Sequence, residues 1–187
     1  QGLREEKSML RQLLFAGTYN NIDAVSTWQV PATVREGSGT GVAATTGCFF
    51  SGPEGCIITD VYYIARDLTF TDPNVNWYVG LRVRYSADGG ATFTTLLTLI
   101  ENADCPQIWD DTGGDTQDFA LDQPVKAFTY VAAGTGGLNA GNTQPDLVVP
   151  ANVHVLIEVA VVGGGVLLSE LSELDAFDVL VYGSLKG

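Results

Sequence analysis

The pattern of a long β-hairpin occurs in residues 77–100, WYVGLRVRYSADGGATFTTLLTLI. The first arm has apolar side chains at alternate positions: Trp77, Val79, Leu81, Val83 and Tyr85. Such a period of two buries one face of a strand and leaves the other in water. After the turn, the second arm places Phe93, Leu97 and Leu99 on the buried face. A hairpin of this length needs a second sheet over its apolar face, so the pattern predicts a two-layered β-protein.

Further strand patterns occur on both sides of this hairpin, separated by loops rich in Gly, Pro and Asp. The predicted strands cover residues 41–46, 57–70, 125–133, 152–162 and 177–185. Together with the hairpin they make about seven or eight strands, which predicts an all-β fold, an antiparallel β-sandwich. The long connecting loops favour a jelly-roll or Greek-key topology over an up-and-down barrel.

The N-terminal region differs in pattern from the rest of the chain. In residues 3–15 the leucines gather on one helical face and the charged side chains on the other. Residues 16–55 are rich in Gly, Thr, Ser and Asn, which is typical of extended chain. We therefore expect a short N-terminal helix and extended arm in residues 1–40, and a single β-sandwich domain in residues 41–187. The helix would dock on its own sheet or reach a neighbouring subunit.

The charge of the chain limits its partners. Nine basic residues stand against 22 acidic ones, and the formal net charge is −13. Such a surface repels a phosphate backbone, so we expect no nucleic-acid partner. No apolar run approaches the roughly 20 residues of a membrane span, so we expect a soluble protein with no membrane contact.

The hairpin turn at residues 86–93 carries a recognisable motif. The sequence SADGGATF resembles the Asp-box, S-x-D-x-G-x-T-[FW], of sialidases and of many carbohydrate-active and phage tail proteins; the matching positions are Ser86, Asp88, Gly90, Thr92 and Phe93. The resemblance implies a structural turn that stabilises the hairpin, remote from any catalytic site. The chemistry agrees, because Ser86 and Asp88 can bond turn amides and glycine accepts positive φ.

Four aspartates cluster in the acidic loop of residues 102–122: Asp110, Asp111, Asp115 and Asp118. Hard carboxylate oxygens are ligands that suit Ca²⁺. Their spacing does not match the D-x-[DN]-x-[DN]-G calcium loop, so a solvated acidic loop is the alternative. Apart from this calcium, the sequence predicts no cofactor.

Trp109 lies in the same loop and is the predicted ligand-binding residue. Exposed tryptophan and tyrosine side chains on a β-sandwich can stack on sugar rings, and large exposed apolar groups mark interaction sites. The other aromatic side chains considered for this role are Trp28, Tyr62, Tyr63, Trp77 and Tyr78. Trp77 is expected in the core by its place in the alternation.

The sequence predicts no catalytic residues, and we expect that the protein is not an enzyme. His154 is the single histidine, no G-x-S-x-G elbow accompanies it, and no Walker lysine is found. The three cysteines lack a C-x-x-C pair, which argues against zinc. Cys48 and Cys56 are close enough in sequence for a disulfide, but buried thiols are the default expectation.

The small-residue-rich sandwich, the N-terminal arm and the missing catalytic set resemble phage virion proteins, such as capsid decoration, tail and fibre domains. This resemblance implies a structural protein located in the virion. It would associate with copies of itself, a homotrimer being the first expectation, and with other virion proteins, using residues 1–35. The alternative is a carbohydrate- or receptor-binding β-sandwich module that uses Trp109 and the loop of residues 110–118.

Overall fold

The fold is described from a computed structural model of the chain. The structure describes residues 11–20, 26–36, 47–66, 77–101, 104–109, 119, 121–129, 147–168 and 176–186. Within these ranges the chain forms twelve β-strands and no α-helix. The strands are β1 Gln12–Asn20, β2 Thr33–Glu36, β3 Phe49–Phe50, β4 Cys56–Ala65, β5 Trp77–Ser86, β6 Thr94–Leu99, β7 Gln107–Trp109, β8 Pro124–Thr129, β9 Leu147–Val149, β10 His154–Gly163, β11 Val166–Leu167 and β12 Ala176–Leu185.

The strands form two antiparallel sheets of six strands each. Sheet A has the order β2-β1-β12-β4-β8, and β9 also pairs with β4. Sheet B has the order β11-β10-β5-β6, while β3 pairs with β10 and β7 pairs with β5. The predicted all-β class with antiparallel sheets is therefore confirmed.

Four of the antiparallel pairings are nested along the chain. β1 pairs with β12, β3 with β10, β4 with β8, and β5 with β6. These strands thus pair from the ends of the chain inward, as the two arms of one long hairpin do. The consequence is that the first and last described strands lie side by side in sheet A.

The buried faces of the two sheets share one hydrophobic core. In sheet B the alternating residues Val79, Leu81 and Val83 lie opposite Val161, Val159 and Ile157, and all six are buried. From sheet A the core receives Phe15, Tyr19, Val61, Tyr63, Phe177, Val179 and Val181. The period-two alternation therefore identified the buried face of β5, as expected from the pleat of a strand.

The predicted hairpin is formed by β5 and β6, which pair in antiparallel register. Trp77 and Val83 are fully buried, as predicted. Phe93 is the exception, because it is only partly buried and its ring centre lies 4.9 Å from the guanidinium carbon of Arg84. Arg84 follows Val83 and therefore lies on the opposite face of β5. The register with β6 shifts between these two residues. The prediction that Phe93 faces the core is therefore wrong.

The predicted N-terminal helix is wrong for residues 12–15, which belong to β1; residues 1–10 lie outside the described residues. β1 bonds to β12 along its length, with an irregularity between Leu13 and Phe15. An isolated 13-residue helix is marginal in water, whereas this strand gains hydrogen bonds from β12 and burial in the core. β2 pairs with β1, so both strands of the expected arm in residues 1–40 are part of sheet A.

The other predicted strands are found wherever the structure describes them. β4, β8, β10 and β12 correspond to the strands predicted at residues 57–70, 125–133, 152–162 and 177–185. The predicted segments 41–46, 67–70 and 130–133 lie outside the described residues.

Candidate functional site

A hydrogen-bond network centred on Ser86 and Asp88 holds the turn between β5 and β6. Ser86 Oγ donates to Asp88 Oδ1 over 2.6 Å and accepts from the Gly90 amide over 2.7 Å. The Asp88 carboxylate accepts from the amide and the hydroxyl of Thr92, over 2.9 and 2.6 Å. The bonds from Ser86 and Thr92 lower the pKa of the Asp88 carboxyl. Because these partners lie within the turn itself, the geometry describes a structural turn.

The acidic loop lies largely outside the described residues, and so do its four predicted calcium ligands, Asp110, Asp111, Asp115 and Asp118. Calcium binding there stays a prediction. Trp109 is the last residue of β7, and its backbone pairs with that of Trp77. The side chain of Trp109 is outside the described part of the structure. Among the residues that are described, no three His, Cys, Asp or Glu side chains come together as a metal site.

The three cysteines are buried free thiols. The Ile157 amide donates a hydrogen bond to Cys48 Sγ over 3.3 Å. Burial raises the pKa of Cys48 to about 12, of Cys56 to about 11 and of Cys105 to about 12. Since the thiolate is the reactive form of cysteine, these thiols are poor nucleophiles and poor metal ligands at neutral pH.

The aromatic side chains considered for ligand binding divide between the core and the surface. Trp77 and Tyr63 are fully buried in the core. The ring of Trp28 lies 4.8 Å from the guanidinium carbon of Arg82 on the outer face of sheet B. Tyr62 is half-buried, lies on the outer face of sheet A and lines a groove there.

An open groove of about 440 Å³ lies on that outer face of sheet A. It is lined by Arg11, Tyr62, Ile64, Pro124, Leu180 and Tyr182. Tyr62 and Ile64 of β4 and Leu180 and Tyr182 of β12 alternate with core residues of their strands, so the pleat directs them outward. Cross-strand pairing brings Tyr62 beside Leu180, and Ile64 beside Pro124. We refer to this site as the sheet A groove.

Tyr62, Tyr182 and Arg11 line the polar end of the sheet A groove, and Lys126 lies beside it. The rings of Tyr62 and Tyr182 meet edge to face, with their centres 5.9 Å apart. The Arg11 guanidinium carbon lies 4.7 Å from the ring centre of Tyr182, and Lys126 Nζ lies 5.7 Å from that of Tyr62. Such cation–π contacts hold both cations along the aromatic surface.

The carboxylate of Asp60 forms ion pairs with both Arg11 and Lys126. Its Oδ2 lies 3.0 Å from Arg11 Nη2, and its Oδ1 lies 3.9 Å from Lys126 Nζ. A hydrogen bond to Tyr62 and the charge of Asp60 raise the pKa of Arg11. The side chain of Asp60 is 12% exposed, compared with 50% for Arg11 and 44% for Lys126. Solvent therefore meets the two positive charges more than the negative one.

A second charged cluster lies on the outer face of sheet B, and its geometry is structural. Glu158 is 3% exposed and accepts four hydrogen bonds of 2.6 to 2.8 Å from Arg82 and Arg84. Trp28 covers Arg82, and Phe93 covers Arg84. With both carboxylate oxygens bound to guanidinium groups, Glu158 is a buried ion-pair partner. The sequence showed the three charges but not their convergence, which depends on the register of β5 and β10.

Sequence reasoning selected Tyr62 but missed the remaining groove residues. Arg11 and Tyr182 of the groove and Lys126 beside it come from three different parts of the chain, and no short motif links them. The sequence feature that could have indicated the groove is the position of Tyr62 and Ile64, which alternate with the apolar residues on the buried face of β4.

Comparison of the chain with protein-family models, curated proteins and solved structures gave no match in any of the three. The described segments include no helix that is long and apolar enough to cross a membrane.

Proposed function

We propose that this chain is a non-enzymatic structural protein of a virion, and that its domain is a jelly-roll β-sandwich. The nested pairing of β1 with β12, β3 with β10, β4 with β8, and β5 with β6 carries this proposal. Numbered along the chain, these eight strands stand in the order 1-8-3-6 in sheet A and 2-7-4-5 in sheet B. This is the order produced by rolling up one long hairpin. Viral capsid domains use jelly rolls, as do lectins and cupins.

An exposed apolar surface at one end of the sheets supports association between subunits. Phe50, Val148 and Leu185 are 37%, 39% and 46% exposed. Val148 and Leu185 lie in β9 and β12, which both pair with the start of β4 at Cys56 and Ile57. Phe50 lies in β3, and Gly52 in the loop that joins β3 to β4 lies close to the side chain of Leu185. We refer to Phe50, Val148 and Leu185 as the apolar rim.

The apolar rim supplies the kind of contact that a strongly acidic protein needs for self-association. Each copy carries a net charge of −13, so like-charge repulsion opposes assembly. Burial of apolar side chains contributes about 25 cal/mol per Å² and does not depend on charge. Closed symmetric assemblies are the usual outcome, and a homotrimer remains the first expectation. Higher salt should therefore strengthen the association by screening the repulsion.

The mass in solution tests this proposal. Light scattering at about 100 µM chain should give three times the 19.8 kDa chain mass. Leu185→Ser and Phe50→Ser should each raise the dissociation constant by about tenfold or more. Val166→Ser is the matched control, because Val166 is 56% exposed but lies in β11, outside the apolar rim.

Two outcomes would contradict the proposal. One is a wild-type chain that stays monomeric at this concentration, including at high salt. The other is an oligomer whose stability is the same in the rim variants as in Val166→Ser.

A further inference from the structure

We propose that the sheet A groove binds an acidic sugar, a pyranose ring that carries a carboxylate. The proposal rests on the groove residues alone and is independent of the assembly role. It also places sugar recognition at a different site from Trp109 and the acidic loop.

The size and the floor of the groove suit a sugar ring. Its volume of about 440 Å³ lies within the range of roughly 300–1,000 Å³ that is usual for small-ligand sites. Ile64, Pro124 and Leu180 supply an apolar floor beside the tyrosine rings. A pyranose has an apolar C–H face, which such a floor can cover while the ring hydroxyls stay near polar groups.

The charges of the groove suit a carboxylate. Arg11 lines the groove and Lys126 lies beside it, while Asp60 contacts both cations from a largely buried position, so these three groups together carry a charge of +1. In the contacts that the structure describes, Arg11 uses Nη2 to reach both Asp60 and Tyr62. The other guanidinium nitrogens also bear N–H donors, and a guanidinium can bind a carboxylate through two parallel hydrogen bonds.

The groove also holds the neutral polar groups that a sugar requires. The phenolic oxygens of Tyr62 and Tyr182 can donate to or accept from ring hydroxyls. A small inorganic anion would use only the cations. A carboxylated sugar would use the cations, the phenols and the apolar floor together, which is why we favour it over phosphate or sulfate.

Ligand-observed NMR with matched probes tests the proposal. Methyl β-glucuronide and methyl β-glucoside differ only in the carboxylate, and the methyl α-glycoside of N-acetylneuraminic acid represents the other common class of acidic sugar. We expect saturable binding of at least one acidic probe, with a dissociation constant on the order of 1 mM. The glucoside should bind about tenfold more weakly than the glucuronide if uronic acids are the ligand, and salt should weaken binding of the acidic probe.

Substitutions in, beside and away from the groove locate the binding. Lys126→Glu should weaken binding of the acidic probe by about tenfold or more, because it reverses a charge beside the groove. Tyr182→Phe, which keeps the ring and removes one hydroxyl, should weaken it several-fold. Lys186→Glu is the matched control, since it makes the same change in net charge in the segment that follows β12, whereas Lys126 lies beside Tyr62 of the groove.

The proposal is overturned if neither acidic probe binds saturably at concentrations up to about 50 mM. It is also overturned if sulfate binds the groove with the same affinity as the acidic sugar, measured by competition. Equal weakening of binding by Lys126→Glu and Lys186→Glu would overturn it as well. None of these readouts depends on the oligomeric mass, so failure of this proposal and failure of the assembly proposal remain distinguishable.

Discussion

The phenol of Tyr63 in sheet A donates a hydrogen bond across the core to the backbone carbonyl of Gly80 in sheet B, over 3.2 Å. Tyr19 makes the equivalent contact with the carbonyl of Ile157, over 2.7 Å. Both tyrosines are fully buried. Two such bonds between the sheets set the position of one sheet relative to the other, because a buried hydrogen bond is directional whereas apolar packing is not.

Loss of one of these hydroxyls should therefore destabilise the protein. Tyr19→Phe leaves the buried carbonyl of Ile157 without this donor, and we expect a loss of about 1–3 kcal/mol in the free energy of unfolding, measured by urea denaturation. Tyr62→Phe is the control, because Tyr62 is half-buried at the surface groove, and its effect should stay within about 0.5 kcal/mol. Equal effects of the two substitutions would contradict the role assigned to Tyr19.

Stability should fall in alkaline solution. Burial raises the pKa of Tyr19 and Tyr63 well above 10.0 and that of Cys48 from 9.0 to about 12. Between the ordinary pKa of each group and its raised pKa in the folded protein, the unfolded chain loses a proton that the folded chain keeps. The free energy of unfolding therefore decreases as pH rises above about 9. Urea denaturation from pH 7 to pH 11 measures this decrease. The free energy of unfolding should decrease less steeply with pH in Tyr19→Phe. If it does not change with pH in the wild type, these buried groups do not control the stability in alkaline solution.

The thiols should be unreactive in the folded protein. Cys48, Cys56 and Cys105 are buried and free, and the raised pKa of each keeps it protonated at neutral pH. With a thiol-specific disulfide reagent at about pH 8, we expect no fast reaction in the native state and three thiols per chain after denaturation. Rapid modification of any thiol in the native protein would refute the burial of that residue.

Removal of the charge of Glu158 should be costly. Glu158→Gln leaves Arg82 and Arg84 without their shared carboxylate on the covered face of sheet B. Breaking a buried ion pair from one side costs about 3–5 kcal/mol, and we expect the lower end because the two arginines are 23% and 24% exposed. Glu54→Gln makes the same change at an exposed position and should cost less than about 0.5 kcal/mol. Similar losses in both variants by denaturant titration would argue against the cluster.

Ser86 should contribute more to stability than its neighbour in the same turn. Ser86→Ala removes the acceptor of the Gly90 amide and the donor to Asp88, and we expect a loss of about 1–2 kcal/mol in the free energy of unfolding. Ala87→Ser, at the exposed neighbour, should change it by less than about 0.5 kcal/mol. If the two variants unfold at the same denaturant concentration, the network does not stabilise the hairpin.

The sequence pattern was sufficient for the fold class but not for every element. Alternation placed Trp77, Val83, Val155 and Val179 on buried faces because the pleat alone directs successive side chains to opposite sides. The same kind of argument failed at residues 12–15, where leucine spacing fitted a helix while pairing with β12 stabilised a strand. It failed at Phe93 because the register shift near Arg84 is not visible in the pattern.

The two charged clusters show where local pattern stops being informative. Arg11, Tyr62, Lys126 and Tyr182 are far apart in the chain, and their meeting depends on which strands pair and in which register. Likewise, β10 is buried on both faces between Val155 and Val162, which depends on what packs against each face. Local alternation follows from backbone geometry and can be read along the chain. Strand partners, register and the groove follow from long-range packing, which minimises exposed apolar surface over the whole chain at once.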